Sequence, residues 1–150
     1  MSRDRPMSQT TDSEAATIQA GRRLGASLRA GDVVLLIGQL GAGKTAFVRG
    51  IATGLGCDPS AVHSPSFAIV TEYAGGGAGL RLVHVDLYRL DSAAEVEDLA
   101  LSEYLDGPGV LAVEWGERAP AGLRKGAIEV LLEHDGETRR RLTIRGRGAV

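Results

Sequence analysis

The stretch Val33-Val34-Leu35-Leu36-Ile37-Gly38-Gln39-Leu40-Gly41-Ala42-Gly43-Lys44-Thr45-Ala46-Phe47-Val48 decides how the chain folds. Its first five residues form a continuous β-branched and leucine run, the pattern of a strand covered on both faces. From Lys44 onward Phe47, Val48, Ile51 and Leu55 recur at helical spacing, and Gly56 stops the helix. Between strand and helix, Gly38 to Thr45 matches G-x-x-x-x-G-K-[ST] in the setting that turns this pattern into a phosphate-binding loop.

Each residue type in the loop has a physical task. Backbone N–H groups wrap a phosphate only where no side chain blocks the approach, as at Gly38, Gly41 and Gly43, with Gln39, Leu40, Ala42 and Ala46 completing the cradle. The helix that follows adds its positive N-terminal end. Lys44 supplies a point charge for the β- and γ-phosphates, and the Thr45 hydroxyl is a ligand for Mg²⁺. ATP or ADP with Mg²⁺ is the expected cofactor pair.

Such a loop needs an acid at the end of a neighbouring strand. Leu82-Val83-His84-Val85 leads to Asp86, and Val110-Leu111-Ala112-Val113 leads to Glu114. Ligand groups in open α/β sheets converge where strands end, so Asp86 is assigned to the metal shell and Glu114 to the metal or the attacking water. Lys44, Asp86 and Glu114 are thus the catalytic candidates, and Thr45, Asp86 and Glu114 the metal candidates. Ser64-Pro65-Ser66-Phe67 offers hydroxyls near the γ-phosphate or is a turn into a strand. His84 is a phosphate donor or a structural group, and Trp115 a nucleotide contact or a core anchor.

Outward from the loop, Met1 to about Thr11 is polar without apolar period and reads as a disordered tail, leaving residues 12–150 as one domain. Asp12 or Ser13 caps a helix with Ile18, Leu24 and Leu28 as its stripe. Residues 67–73 and 80–86 flank the glycine tip Gly75 to Gly79 as a hairpin. Ser92 to Leu105 reads as a helix, and Ile128 to His134 with Arg139 to Arg145 as a closing hairpin around Asp135-Gly136. The fold class is α/β, a three-layer sandwich of the P-loop type whose mixed sheet has a parallel core and antiparallel hairpins.

Composition narrows the function. The chain has 150 residues and a net charge of −2, which argues against gripping nucleic acid unaided. Hydrophobic residues make up 43% without any stretch apolar enough for a membrane. A single cysteine, Cys57, and no signal-peptide pattern at Met1 point to the cytoplasm.

Taken together, the loop Gly38 to Thr45, Ser64-Pro65-Ser66-Phe67, His84-Val85-Asp86-Leu87-Tyr88-Arg89 and Glu114-Trp115-Gly116-Glu117-Arg118 resemble the TsaE (YjeE) family in order and separation. That resemblance, rather than any spacing, implies an ATPase required for threonylcarbamoyladenosine formation on tRNA. It acts with the TsaD and TsaB proteins, and tRNA is met through that complex. It carries functional roles to Lys44, Thr45, Asp86, Glu114 and Trp115. Gln39, Ala46 and Ser66 depart from the family's usual acid, threonine and threonine, which predicts altered affinity rather than a dead site. Two other readings stand beside it: a small-molecule kinase, which would need an arginine-bearing lid, and a nucleotide-dependent binding module with negligible hydrolysis. Arg89 and Arg118 are candidates for charge stabilisation or partner contact.

Overall fold

A computed structural model describes residues 5–39, 41–62, 69–75 and 79–149. Leu40, the Ser64 to Phe67 segment and the middle of the glycine tip lie outside the described residues.

The apolar run after Asp32 becomes β2 (Val33–Ile37), flanked in parallel by β5 (Gly109–Glu114) and β6 (Ile128–His134). Val34, Leu35 and Leu36 have no exposed surface. Val34 and Leu36 face one apolar cluster and Leu35 the other, as the period of two in a strand requires. β4 (Arg81–Asp86) extends the parallel core beside β5, and β3 (Val70–Tyr73) pairs antiparallel with β4. β7 (Arg140–Arg145) returns antiparallel on β6. Sheet order is β1-β7-β6-β2-β5-β4-β3.

The expected tail is corrected at its end: Met7–Thr11 forms β1, an edge strand paired antiparallel with β7 from Met7 opposite Ile144 to Thr11 opposite Arg140. Its residues are mostly exposed and only Thr11 is buried, so main-chain ladder bonds hold it and leave no apolar period to read.

Helices cover both faces. α1 (Glu14–Ser27) is capped by the Ser13 hydroxyl, which accepts from the Ala16 amide at 3.1 Å. α2 (Lys44–Leu55) ends at Gly56 in the left-handed region, φ 81°. These helices pack so closely that glycines line the seam. A Cβ on Gly25 would sit 2.5 Å from the Ile51 carbonyl oxygen, and one on Gly21 or Gly50 would collide with the Phe47 or Ile18 carbonyl oxygen. The α1 stripe is therefore Thr17, Ala20, Gly21, Leu24 and Gly25, while Ile18 is half-buried. Phe47 and Ile51 are fully buried under this pair, each stabilising the fold by about 1.5–3 kcal/mol.

On the opposite face lie α3 (Ala93–Asp98), a 3₁₀ turn at Leu101–Leu105 and α4 (Ala121–Arg124), with Val96, Leu101 and Leu123 packed around Leu35, Val83 and Val113. The helix expected from Ser92 to Leu105 is broken, because Ala100 turns left-handed at φ 48° between α3 and the 3₁₀ turn. Among the described residues no helix is long and apolar enough to cross a membrane.

Since β2, β4 and β5 run parallel, their C-terminal ends share one edge of the sheet. That edge carries the glycine loop, Asp86 and Glu114.

Candidate nucleotide-binding site

The loop after β2 has the backbone its glycines permit. Gly41 and Gly43 stand at φ 78° and 102°, and a Cβ on Gly38 would lie 2.5 Å from the Leu132 carbonyl oxygen. Gly43 caps α2 without any side-chain bond, so the amides of the first turn keep their anion-binding capacity. Lys44 is 5% exposed. Its Nζ donates to the carbonyls of Gly38 and Gln39, the latter at 3.0 Å, and sits 4.2 Å from the Trp115 ring centroid. Burial pulls the Lys44 pKa below its ordinary value, with Glu114, Glu117 and Asp86 acting in the opposite direction.

The strand-end acids meet the loop across parallel register, which sets Asp86 directly opposite Glu114. Thr45 Oγ1 donates to both Glu114 carboxylate oxygens at 3.2 Å. Glu114 is almost wholly buried, and its Oε2 also meets His84 Nε2 at 2.5 Å. Asp86 Oδ1 accepts the Tyr88 amide at 2.9 Å. Burial raises the Asp86 pKa; the Tyr88 amide opposes this, Glu114 adds to it, and His84 and Lys44 oppose it.

Trp115 follows at φ 60°, a left-handed conformation costly for a tryptophan. Gly116 fixes that turn, because a Cβ there would lie 2.6 Å from Leu35 Cβ. The indole lies between charges and a ring: Tyr88 stands 5.2 Å away between centroids, and Arg118 Cζ 5.5 Å from the indole centroid. Arg118 Nη1 donates to the carbonyls of Leu87, Tyr88 and Leu90 at 2.9–3.1 Å, so it ties the end of β4 to the turn after β5.

A cavity of about 780 Å³ joins these groups. Of the predicted residues, Gly41, Gly43, Lys44, Thr45, Ala46, Asp86, Glu114 and Trp115 line it, as does Arg89. Gly38 and Gln39 face a separate hollow beside Leu131 to His134, and Ala42 is buried in the core. Leu40 and Ser66 lie outside the described residues.

Sequence reasoning missed the rest of the wall. Asp12 and Ser13 enter from just before α1, Glu14 and Thr17 from its first turn, Arg49 from α2, Glu137 and Thr138 from the β6–β7 turn, and Arg140 from the start of β7. Arg140 Nη2 reaches the Gly41 carbonyl at 3.4 Å, tying that turn to the loop. The edge position of β1 and the register of β6 on β7 bring these segments in, and neither leaves a motif.

The donor set suits a hard cation: one hydroxyl, Thr45, and two carboxylates, Asp86 and Glu114, with no sulfur. Among the described residues no group of three or more His, Cys, Asp and Glu side chains is placed to hold a metal. A Mg²⁺ here fits the mode in which ligand phosphates and water complete the shell.

The family model described as "Threonylcarbamoyl adenosine biosynthesis protein TsaE" matches residues 11–142. The chain belongs to the TsaE family. Among its relatives, the tRNA threonylcarbamoyladenosine biosynthesis protein TsaE of Streptomyces coelicolor is 43% identical over 135 residues, covering 87% of this chain and 90% of that protein. Its counterpart from Bacillus subtilis is 42% identical over 114 residues, 76% of this chain and 69% of the relative. The crystal structure of Bacillus subtilis YdiB superposes with a TM-score of 0.72 at 30% identity, covering 95% of this chain and 86% of that one. The α/β architecture expected from the sequence is thus the one observed. In this TsaE family member the His84 to Arg89 run divides its labour: His84 lies beneath Glu114, Asp86 faces the cavity, Tyr88 packs on Trp115, and Arg89 lines the rim.

Proposed function

We propose that this chain binds ATP with Mg²⁺ and hydrolyses it in support of threonylcarbamoyladenosine formation on tRNA, acting on a complex of TsaD and TsaB in the cytoplasm. The meeting of Thr45, Glu114 and Asp86 beside Lys44 in one cavity carries this reading.

In this reading the Gly41 to Thr45 backbone cradles the phosphates, and Lys44 leaves the Gly38 and Gln39 carbonyls to neutralise β- and γ-phosphate charge. A Mg²⁺ bound with the nucleotide would supply further neutralisation of that charge. Thr45 and Asp86 would hold its shell, and Glu114 would serve the metal or the water that attacks the γ-phosphate. Arg118 is occupied by three backbone carbonyls, whereas Arg89 lines the wall, where it would meet a phosphate or a partner. Slow turnover alone follows, since a supplied arginine accelerates related hydrolyses by roughly 10³–10⁵.

The deciding experiment is MgATP turnover by the purified chain, alone and with TsaD and TsaB, with Glu114→Ala as control. Stimulation by the partners that vanishes in the mutant supports the reading. Equal turnover with and without them, or phosphate passed to a small acceptor instead of water, refutes it.

A further inference from the structure

His84 lies inside β4 with a side chain that has no exposed surface, against a Glu114 side chain only 4% exposed. Parallel register sets His84 beside Ala112, one pleat below the Asp86 and Glu114 pair. Ala112 contributes only a methyl group to that row. The imidazole reaches Glu114 Oε2 at 2.5 Å; a carboxylate oxygen only accepts, so Nε2–H is the donor. The opposite nitrogen, Nδ1, is buried and has no hydrogen-bond partner among the described residues. A residue selected for core packing would be apolar here, because a half-satisfied imidazole in a dry interior costs stability that an aliphatic side chain does not. The cost accompanies a contact to the carboxylate that also accepts from Thr45 at the cavity wall.

We infer that His84 is a positioning residue: its Nε2–H fixes Glu114 Oε2 and so aims the carboxylate at the cation and water side of the cavity. This rests on the nucleotide reading above and adds a residue to it. Outer-shell donors of this kind orient carboxylates, and their loss typically costs 10–100-fold in metal affinity or activity. His84 works through Glu114 and touches no substrate.

The test compares His84→Gln, whose amide nitrogen falls near the Nε2 position, with His84→Asn, whose amide falls near Nδ1, and His84→Leu, which has no donor. Trp115, the single tryptophan, reports nucleotide binding by fluorescence. Nucleotide affinity measured with Mg²⁺ chelated stays level across the series. The Mg²⁺ concentration for half-maximal turnover rises about 10-fold or more in His84→Asn and His84→Leu, and kcat falls more than KM rises, while His84→Gln restores both to within about threefold of the parent. A second readout needs no nucleotide: the His84 Nε2 proton of the free chain resonates far downfield by NMR and loses that shift in Glu114→Gln. His84→Leu melts no earlier than the parent, which separates positioning from folding. Should His84→Leu fail to fold, the contrast of Gln with Asn decides. A wild-type Mg²⁺ requirement in His84→Asn, equal loss in His84→Gln and His84→Asn, or a downfield proton untouched by Glu114→Gln overturns the inference. A parent chain that binds nucleotide without any Mg²⁺ effect instead sinks the underlying reading, and this inference falls with it.

Discussion

Lys44 and Glu114 share one wall, and under the proposed function they serve different steps, so their loss should separate. In the proposed complex Lys44 bears on the phosphates, and a charge-assisted bond contributes about 1.5–3 kcal/mol, so Lys44→Ala weakens MgATP binding roughly 10- to 100-fold and abolishes productive turnover. Glu114→Ala lowers kcat by about 10²-fold or more while nucleotide affinity changes by about threefold at most. Fluorescence titration and phosphate release measure the two, and equal loss of affinity in both variants contradicts the assignment. Asp86 makes a prediction about pH. Burial raises its pKa above the ordinary 3.8, so the folded chain holds that proton more tightly than the unfolded one. In the nucleotide-free protein, stability is therefore lost as pH rises from about 3.8 through the folded value. Asp86→Asn melts at a higher temperature than the parent at pH 7, and the difference shrinks as the pH is lowered toward 4. A melting-temperature gap that widens on acidification contradicts it.

Among the elements, the α1–α2 seam has the least tolerance. A Cβ on Gly50 would collide with the Ile18 carbonyl oxygen and press on the Arg22 amide at 2.8 Å, both rigid backbone. Gly50→Ala costs about 3 kcal/mol in urea unfolding. Gly122 in α4 has nothing within 4 Å of such a Cβ, so Gly122→Ala is neutral or stabilises by up to about 1 kcal/mol. A neutral Gly50→Ala would show that the helices can separate at little cost. The elements also mark how far the sequence could be read. β2, the loop and α2 were legible because their signals are local: an unbroken apolar run, fixed glycine spacing, then a period of 3.6. The hairpins were legible from their turns. The break at Ala100 was not, because Leu101 and Tyr104 keep apolar spacing through it while the backbone changes hand. At the site, Asp86 and Glu114 were legible as strand-end acids, but the His84 bond to Glu114 depends on register between strands far apart in sequence. Thr138 and Arg140 reach the cavity through the placement of the β6–β7 hairpin beside β2, which leaves no local motif.

For the whole molecule, the first strand closes both sheet and cavity. β1 delivers Thr11, whose hydroxyl lies 2.7 Å from that of Thr17 in a buried pair, and Asp12 and Ser13 follow it into the cavity wall. A chain that starts at Asp12 unfolds at lower urea, by about 1–3 kcal/mol, and binds MgADP more weakly than the full chain. An unchanged midpoint and affinity would return these residues to the status of a tail. Cavity and sheet closure are linked here, since the cavity wall is drawn from segments near both ends of the chain.

The glycine seam has a consequence for how such a chain changes over generations. Gly21 and Gly25 on one helix each depend on the other helix staying bare of bulk, and Gly50 and Gly54 return the dependence. A side chain gained on either helix is harmful until the pair moves apart, and moving apart drags the loop that begins α2. The two helices are thus inherited as one block: variation accumulates on their outer faces, and the seam changes by paired steps or not at all.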